Sequence, residues 1–308
     1  MTKASTRRHW IAGAAACLPA FASERHPLID SHVHLFLPDR KKFPYHPQAT
    51  YKPPAQSFDD YIHFVREAGI DHVIVVHPEP YQDDHRELDY VFAHEPSPGF
   101  FKGTCLFDPI AKETPARMEA LVKKHPGRIV AIRIHENHPA GSPSTTSGPI
   151  RDRDLRSPGV KETWRQAQAL KIGVQMHFIP YYAPQIGDLA ALFGGVPVVL
   201  DHLARAGQGT PAEYERVLKL AKLPNVFMKY SGVNYSSKQG FPYPDAKGIV
   251  RAAYEAFGPD RLIWGGLGMN GDEYRKATQV FQDMFEFVPE QDRDKIRGRT
   301  ATKLFQFI

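Results

Sequence analysis

Fifteen histidines occur in 308 residues, and several stand where they could do chemistry. His32 and His34 are two apart, as are Arg133 and His135. His177 and His202 each close an apolar run. Neutral imidazoles bind zinc-like divalent ions, and three of them leave a fourth position for water. Such an ion lowers the pKa of its water to about 7 and so supplies hydroxide at neutral pH. His32, His34 and His177 are the metal-ligand candidates. Without a metal, the same three would orient water. His202 could move a proton or stabilise developing negative charge. An inward Arg133 could hold a substrate carboxylate through two parallel hydrogen bonds. A lone His-x-His is a weak signal, since scattered structural histidines are common. The argument rests on where these residues fall.

Eight near-continuous Val/Ile/Phe-rich segments predict eight strands: Leu28–Phe36, His72–His77, Phe100–Phe107, Ile129–His135, Ile172–Phe178, Val196–His202, Asn225–Tyr230 and Arg261–Gly265. Runs of this kind suit parallel strands buried on both faces. Amphipathic stretches alternate with them. Ser57 can cap a helix with Phe58, Tyr61, Ile62 and Val65 on one face. Thr114-Pro115 opens a second, with Met118, Leu121 and Val122 buried. Thr210-Pro211-Ala212-Glu213 reads as a capping box with proline at the first helical position. Eight such units predict a single-domain TIM (β/α)8 barrel. A doubly wound open sheet is the alternative, and no glycine-rich phosphate loop follows the first strand to support it.

Strand side chains alternate between faces. Pairing His32 with His34, Arg133 with His135, Gln175 with His177, and Leu200 with His202 puts a polar residue at the C-terminal end of each strand. A barrel gathers those ends, so five histidines and an arginine converge on one pocket. His77 also ends a strand and could belong there. His63, His72, His85, His94 and His125 read as surface residues. Two long loops, 38–56 and 137–159, leave the same face and would shape a pocket.

Lys3, Arg7 and Arg8, the apolar stretch Trp10–Leu18 and Ala20-Phe21-Ala22 read as a cleaved export signal over residues 1–22. Thr6–Ile11 resembles a twin-arginine signal, which points to the periplasm. The barrel would then span 23–308. The formal charge of +5 includes three positives in that signal, leaving about +2, so the high pI is no argument for nucleic acid. Loss of Cys17 leaves Cys105 with no partner for a disulfide. No later segment reads as a membrane span.

Leu28-Ile29-Asp30-Ser31-His32-Val33-His34-Leu35-Phe36 resembles the opening of amidohydrolase-2 proteins. Phe43-Pro44-Tyr45 and Tyr51-Lys52-Pro53-Pro54 resemble the first loop of its 2-pyrone-4,6-dicarboxylate lactonases and sugar-acid lactonases. Ala131–His135, Leu200–Arg205, Lys229–Gly232 and Arg261–Gly265 resemble further strand-end motifs, so the likeness covers nearly the whole mature chain. The resemblance implies hydrolysis of a small carboxylated lactone or related ester, with Lys229 beside Arg133 and His135 in the substrate-binding set. It also implies either a metal-dependent or a metal-free mechanism, both leaning on a strand-eight aspartate. Here that position is Leu267. Asp272 in the same loop could replace it as base, a three-histidine metal site could act without it, or the chain could bind without catalysis. The rival readings are therefore a metal-dependent decarboxylase or hydratase of a small acid, and a non-catalytic binding protein. The oligomeric state is not legible.

Overall fold

The structure is a computed structural model, described for residues 1, 26–139, 141–142, 152–266, 268 and 270–307. The segment read as an export signal and the position of Leu267 lie outside the described residues.

Eight parallel strands appear in sequence order: β1 Ile29–Val33, β2 His72–Val76, β3 Phe101–Cys105, β4 Ile129–Glu136, β5 Gly173–Phe178, β6 Val198–Leu200, β7 Val226–Tyr230 and β8 Leu262–Trp264. Neighbours in sequence are neighbours in the sheet. The ends meet where Ser31 Oγ donates to the Trp264 carbonyl and the Gly266 amide donates to Asp30 Oδ1. The expected TIM barrel is therefore the architecture. The helices that pack around it include α1 Phe58–Glu67, α2 Arg86–Ala93, α3 Thr114–Lys124, α4 Pro158–Leu170, α5 Ala183–Leu192, α6 Pro211–Lys219, α7 Lys247–Phe257 and α8 Gly271–Met284. Among the described residues no helix is long and apolar enough to cross a membrane.

Local signals position the helices as expected. The Ser57 side chain accepts from the Asp60 amide at the start of α1, and Thr210 and Glu213 form a full capping box on α6. In α3, Met118 and Leu121 are buried, while Val122 is only partly so. The outward faces of the strands supply Ile132, Ile134, Val174, Met176, Leu200 and Met228 to the core under the helices. A smaller cluster inside the barrel joins Ile29, Ile74, Val76, Val199 and Ile263 to Ala301, Phe305 and Phe307 near the C-terminus. The buried Lys102 ammonium donates to the carbonyls of Phe305 and Gln306 at 2.7 and 2.9 Å, tying that plug in place. Apolar packing thus fills one end of the barrel and leaves polar side chains at the other.

Two local departures from regular strand decide which residues face inward. The β1–β2 register shifts between Asp30 and Val33. Ile29 points into the barrel and Val33 into the outer core, yet His32 is fully buried inside. Asp30 holds this shift by accepting from the His32 amide at 2.9 Å. The second departure corrects the expected sixth strand. It ends at Leu200, which faces outward, while Val199 faces inward. Alternation therefore turns Asp201 inward, and His202 does not share a strand face with Leu200.

Candidate active site

The floor of the pocket is built on Asp201. Its Oδ2 accepts from Arg133 Nε and from Gln175 Nε2, both at 2.9 Å, and Lys229 Nζ stands 3.2 Å from Oδ1. Arg133 comes from β4 and Gln175 from β5, and the register sets the two side by side, as it does His135 and His177. Asp201 and Lys229 are wholly buried, and Arg133 is 3% exposed. Burial opposes the charge on Asp201, but Lys229 and Arg133 outweigh it and hold the carboxyl well below the usual range. Burial also pulls the Lys229 ammonium below its ordinary value, against the attraction of Asp201.

Around this floor stand the imidazoles. A carbonyl cannot donate, so His34 gives its Nδ1 proton to Val76 O at 2.7 Å and keeps a lone pair on Nε2. His32 Nε2 lies 3.3 Å from that lone pair, and its Nδ1 stands 3.5 Å from Lys229 Nζ and 3.7 Å from Asp201 Oδ1. An arginine only donates. His202 therefore turns its Nε2 lone pair to Arg133 Nη2, 3.4 Å away, and gives its Nδ1 proton to Ser231 Oγ at 2.8 Å. His177 likewise accepts from Arg205 Nη1 at 3.0 Å, and its Nδ1 lies 3.3 Å from Asn137 Nδ2. Burial is the main cause holding His32, His34, His135, His177 and His202 below their ordinary pKa. The charge of Lys229 adds to it at His32, and that of Arg133 at His34, His135 and His177. His34 is pushed down to about 3. All five are neutral at pH 7.

His202 and Arg205 reach the pocket through an uncommon backbone. His202, Leu203, Ala204 and Arg205 all have φ between 52° and 55°. The left-handed region costs a residue with a Cβ about 1–2 kcal/mol, so a run of four persists only where the surroundings over-determine it. Buried Leu203 and Ala204 anchor the turn. Its two polar ends point back into the barrel, and the Arg205 guanidinium lies 4.7 Å from the centre of the Tyr235 ring.

A cavity of about 480 Å3 opens above these groups. His34, Arg133, His135, His177 and His202 line it, and Lys229 and His32 lie beneath, among its buried partners. The first long loop contributes Thr50, Tyr51 and Pro53, and the second contributes Asn137 and Asp152. Asp272 is not brought in: it opens α8, is 76% exposed and pairs with Arg275. His77 is fully buried outside the cavity lining, bonded to Glu87 Oε2 at 3.0 Å and to Gln82 O at 3.1 Å. His85 is not a surface residue, because its ring packs 4.5 Å from that of His77. Sequence reasoning gave no role to Asp201, Arg205 and Ser231, though they lie within its strand-end motifs, and it did not reach Tyr235 or Glu79. The signal available for Asp201 was its place between an apolar run and His202.

The donor atoms of His32, Asp201 and His202 lie within 4.8 Å of one another, compact enough for a metal ion. This group differs from the expected His32, His34 and His177. The charges around it do not fit a divalent ion. Lys229, Arg133 and Arg205 stand beside ring nitrogens of His32, His202 and His177, and Asp201 already faces two of these cations. With Lys229 and Arg133 already at Asp201 and Arg205 beside His177, the floor favours an anion over a further cation.

The sequence model of the family described as amidohydrolase matches residues 29–307. A 4-sulfomuconolactone hydrolase from Rhizobium radiobacter is 28% identical over 239 residues, 77% of this chain and 73% of that protein. Another from Hydrogenophaga intermedia is 26% identical over 292 residues, 90% of this chain and 88% of that one. The fold is similar to that of a probable 2-pyrone-4,6-dicarboxylic acid hydrolase from Acinetobacter baumannii, crystallised with citric acid bound. Its TM-score is 0.70 at 21% identity, covering 91% of this chain and 99% of that one.

Proposed function

The chain belongs to the amidohydrolase family, and from that premise we propose that it is a hydrolase that opens a small carboxylated lactone by attack of water, with no resident metal in the step. The observation that carries this reading is the Arg133–His202 pair. Their 3.4 Å contact is long for a hydrogen bond, so both groups remain available to a substrate.

In this mechanism the Arg133 guanidinium, fixed by Asp201, donates to the lactone carbonyl oxygen and stabilises the charge that develops there. The His202 lone pair accepts a proton from the attacking water. The new bond joins the water oxygen to the carbonyl carbon, and the ring C–O bond breaks. The leaving alkoxide takes the proton from His202, and the product is a hydroxy acid that ionises to its carboxylate. Ser231 keeps His202 in the required tautomer by accepting its Nδ1 proton. Arg205 and Lys229 add positive potential that favours an anionic substrate. His34 and His135 line the cavity and orient water or substrate oxygens.

The compact His32, Asp201 and His202 group is the specific feature that favours a metal-dependent reading instead. The deciding experiment follows proton release from a panel of carboxylated lactones, with metal content measured on the same preparation. Turnover by metal-free protein that disappears in His202→Asn supports the proposal. Turnover that requires a stoichiometric divalent ion overturns the metal-free step, and no turnover of any lactone overturns the activity. Export of the enzyme through residues 1–22 is part of the same reading and is tested by N-terminal sequencing of the periplasmic protein.

A further inference from the structure

The pocket has a second charged wall. Glu79 follows β2 in a short helical turn, lines the cavity and is 7% exposed. Its Oε2 accepts from Thr50 Oγ1 at 2.8 Å and its Oε1 from Gln82 Nε2 at 3.0 Å. Two donors aimed at two oxygens are what an ionised carboxylate requires. The turn that carries it is pinned from behind, since Gln82 Nε2 also donates to Glu79 O at 2.9 Å and the buried His77 bonds the Gln82 carbonyl. Asp152 lines the same cavity, its Oδ1 accepting from the Asn137 amide at 2.7 Å. The strand residues thus give a cationic floor, and the loop residues add two carboxylates to the lining, together with Thr50, Tyr51 and Tyr235.

A ligand that fills this cavity meets opposite requirements at its two ends. At the floor an anionic group is attracted. At the wall a second anionic group would sit against Glu79 in a partly desolvated place, where like charges repel with little screening. Hydroxyl groups meet no such penalty and can donate to the carboxylates.

We propose that Glu79 is a specificity-determining residue that restricts the enzyme to hydroxylated substrates with a single anionic group, and disfavours dianions, the ring-opened product included. The proposal rests on the lactone-hydrolase reading for the identity of the reaction, but not for its test.

The test is equilibrium binding of two matched open-chain probes, gluconate and glucarate, which share a six-carbon polyhydroxy chain and differ in one or two carboxylates. Calorimetry on the full mature chain is expected to show gluconate bound at least about tenfold more tightly than glucarate, a difference of about 1.4 kcal/mol. Glu79→Gln removes the charge and keeps the shape, because its amide oxygen can accept from Gln82 while the Thr50 hydroxyl turns to accept from its amide nitrogen. The variant is expected to reduce the preference about tenfold. The wild-type ratio stands as a test even if the variant fails to fold. Wild-type protein that binds glucarate as tightly as gluconate, or binds neither, overturns the proposal, as does a ratio unchanged in a folded Glu79→Gln. Turnover of lactones without this selectivity would sink the inference alone, and selectivity without turnover would sink the activity alone.

Discussion

Arg133 Nε donates to Asp201 Oδ2 at 2.9 Å, with the two side chains 3% and 0% exposed. This pair links β4 to the end of β6 and fixes the cation at the centre of the site. Removing one member of a buried ion pair strands the other. Asp201→Ala leaves both Arg133 and Lys229 without their carboxylate. Its unfolding free energy is expected to fall by about 3–5 kcal/mol in urea titrations. A loss below about 1 kcal/mol would show that water reaches the site and that the pair is not structural.

Arg133→Lys keeps the charge but loses the planar fork that reaches Asp201 and the substrate together. Activity on the best lactone should fall on the order of 100-fold in kcat/KM while the protein stays folded. Activity within a factor of three of the wild type removes Arg133 from the proposed step.

Ala204 sits at φ 55° in the turn that aims both His202 and Arg205. Glycine adopts this conformation freely, whereas a β-branched residue does so at real cost. Ala204→Gly should therefore retain most activity, and Ala204→Val should lose on the order of tenfold or more as both side chains shift. Equal activity in the two variants contradicts a strained turn as the positioning device.

Acid should destabilise the fold through its buried imidazoles. His32, His34, His85, His135, His177 and His202 are all held below 6.5 chiefly by burial. Below pH 6.5 the unfolded chain takes up these protons and the native state does not, so stability falls as pH falls, by about 1.4 kcal/mol per pH unit for each fully displaced proton. Asp30, raised to about 6 by burial, and Glu136, raised to about 9 by burial and by Asp152 and Asp154, work the other way. Half-buried His72 joins the imidazoles and buried Glu87 joins the raised carboxyls, so seven groups stand against three and leave a net loss. Thermal midpoints should drop between pH 7 and pH 5, and a flat or rising profile is the contrary result.

The charge arrangement predicts indifference to chelators. Dialysis against EDTA should leave activity within about twofold. Asp272→Ala should do the same, because that carboxylate is exposed and paired with Arg275. Activity lost to EDTA and restored by zinc would return the metal to His32, Asp201 and His202.

The amino-acid sequence by itself determined the eight strands, the capped starts of α1 and α6, and the gathering of Arg133, His135 and His177 at one end of a barrel. These are local matters: β-branched runs, cap chemistry and the placing of polar residues at the ends of apolar segments. The tertiary structure alone decided which side chains face inward at β1 and after β6. A register shift brings His32 in, and a left-handed turn that isolated residues would avoid brings in His202 and Arg205. It also decided that Lys229 and Arg133 meet across Asp201 and that Glu79 belongs to the pocket. Those juxtapositions join residues far apart in the chain, and their charges acquire meaning only once burial has removed the water that would screen them.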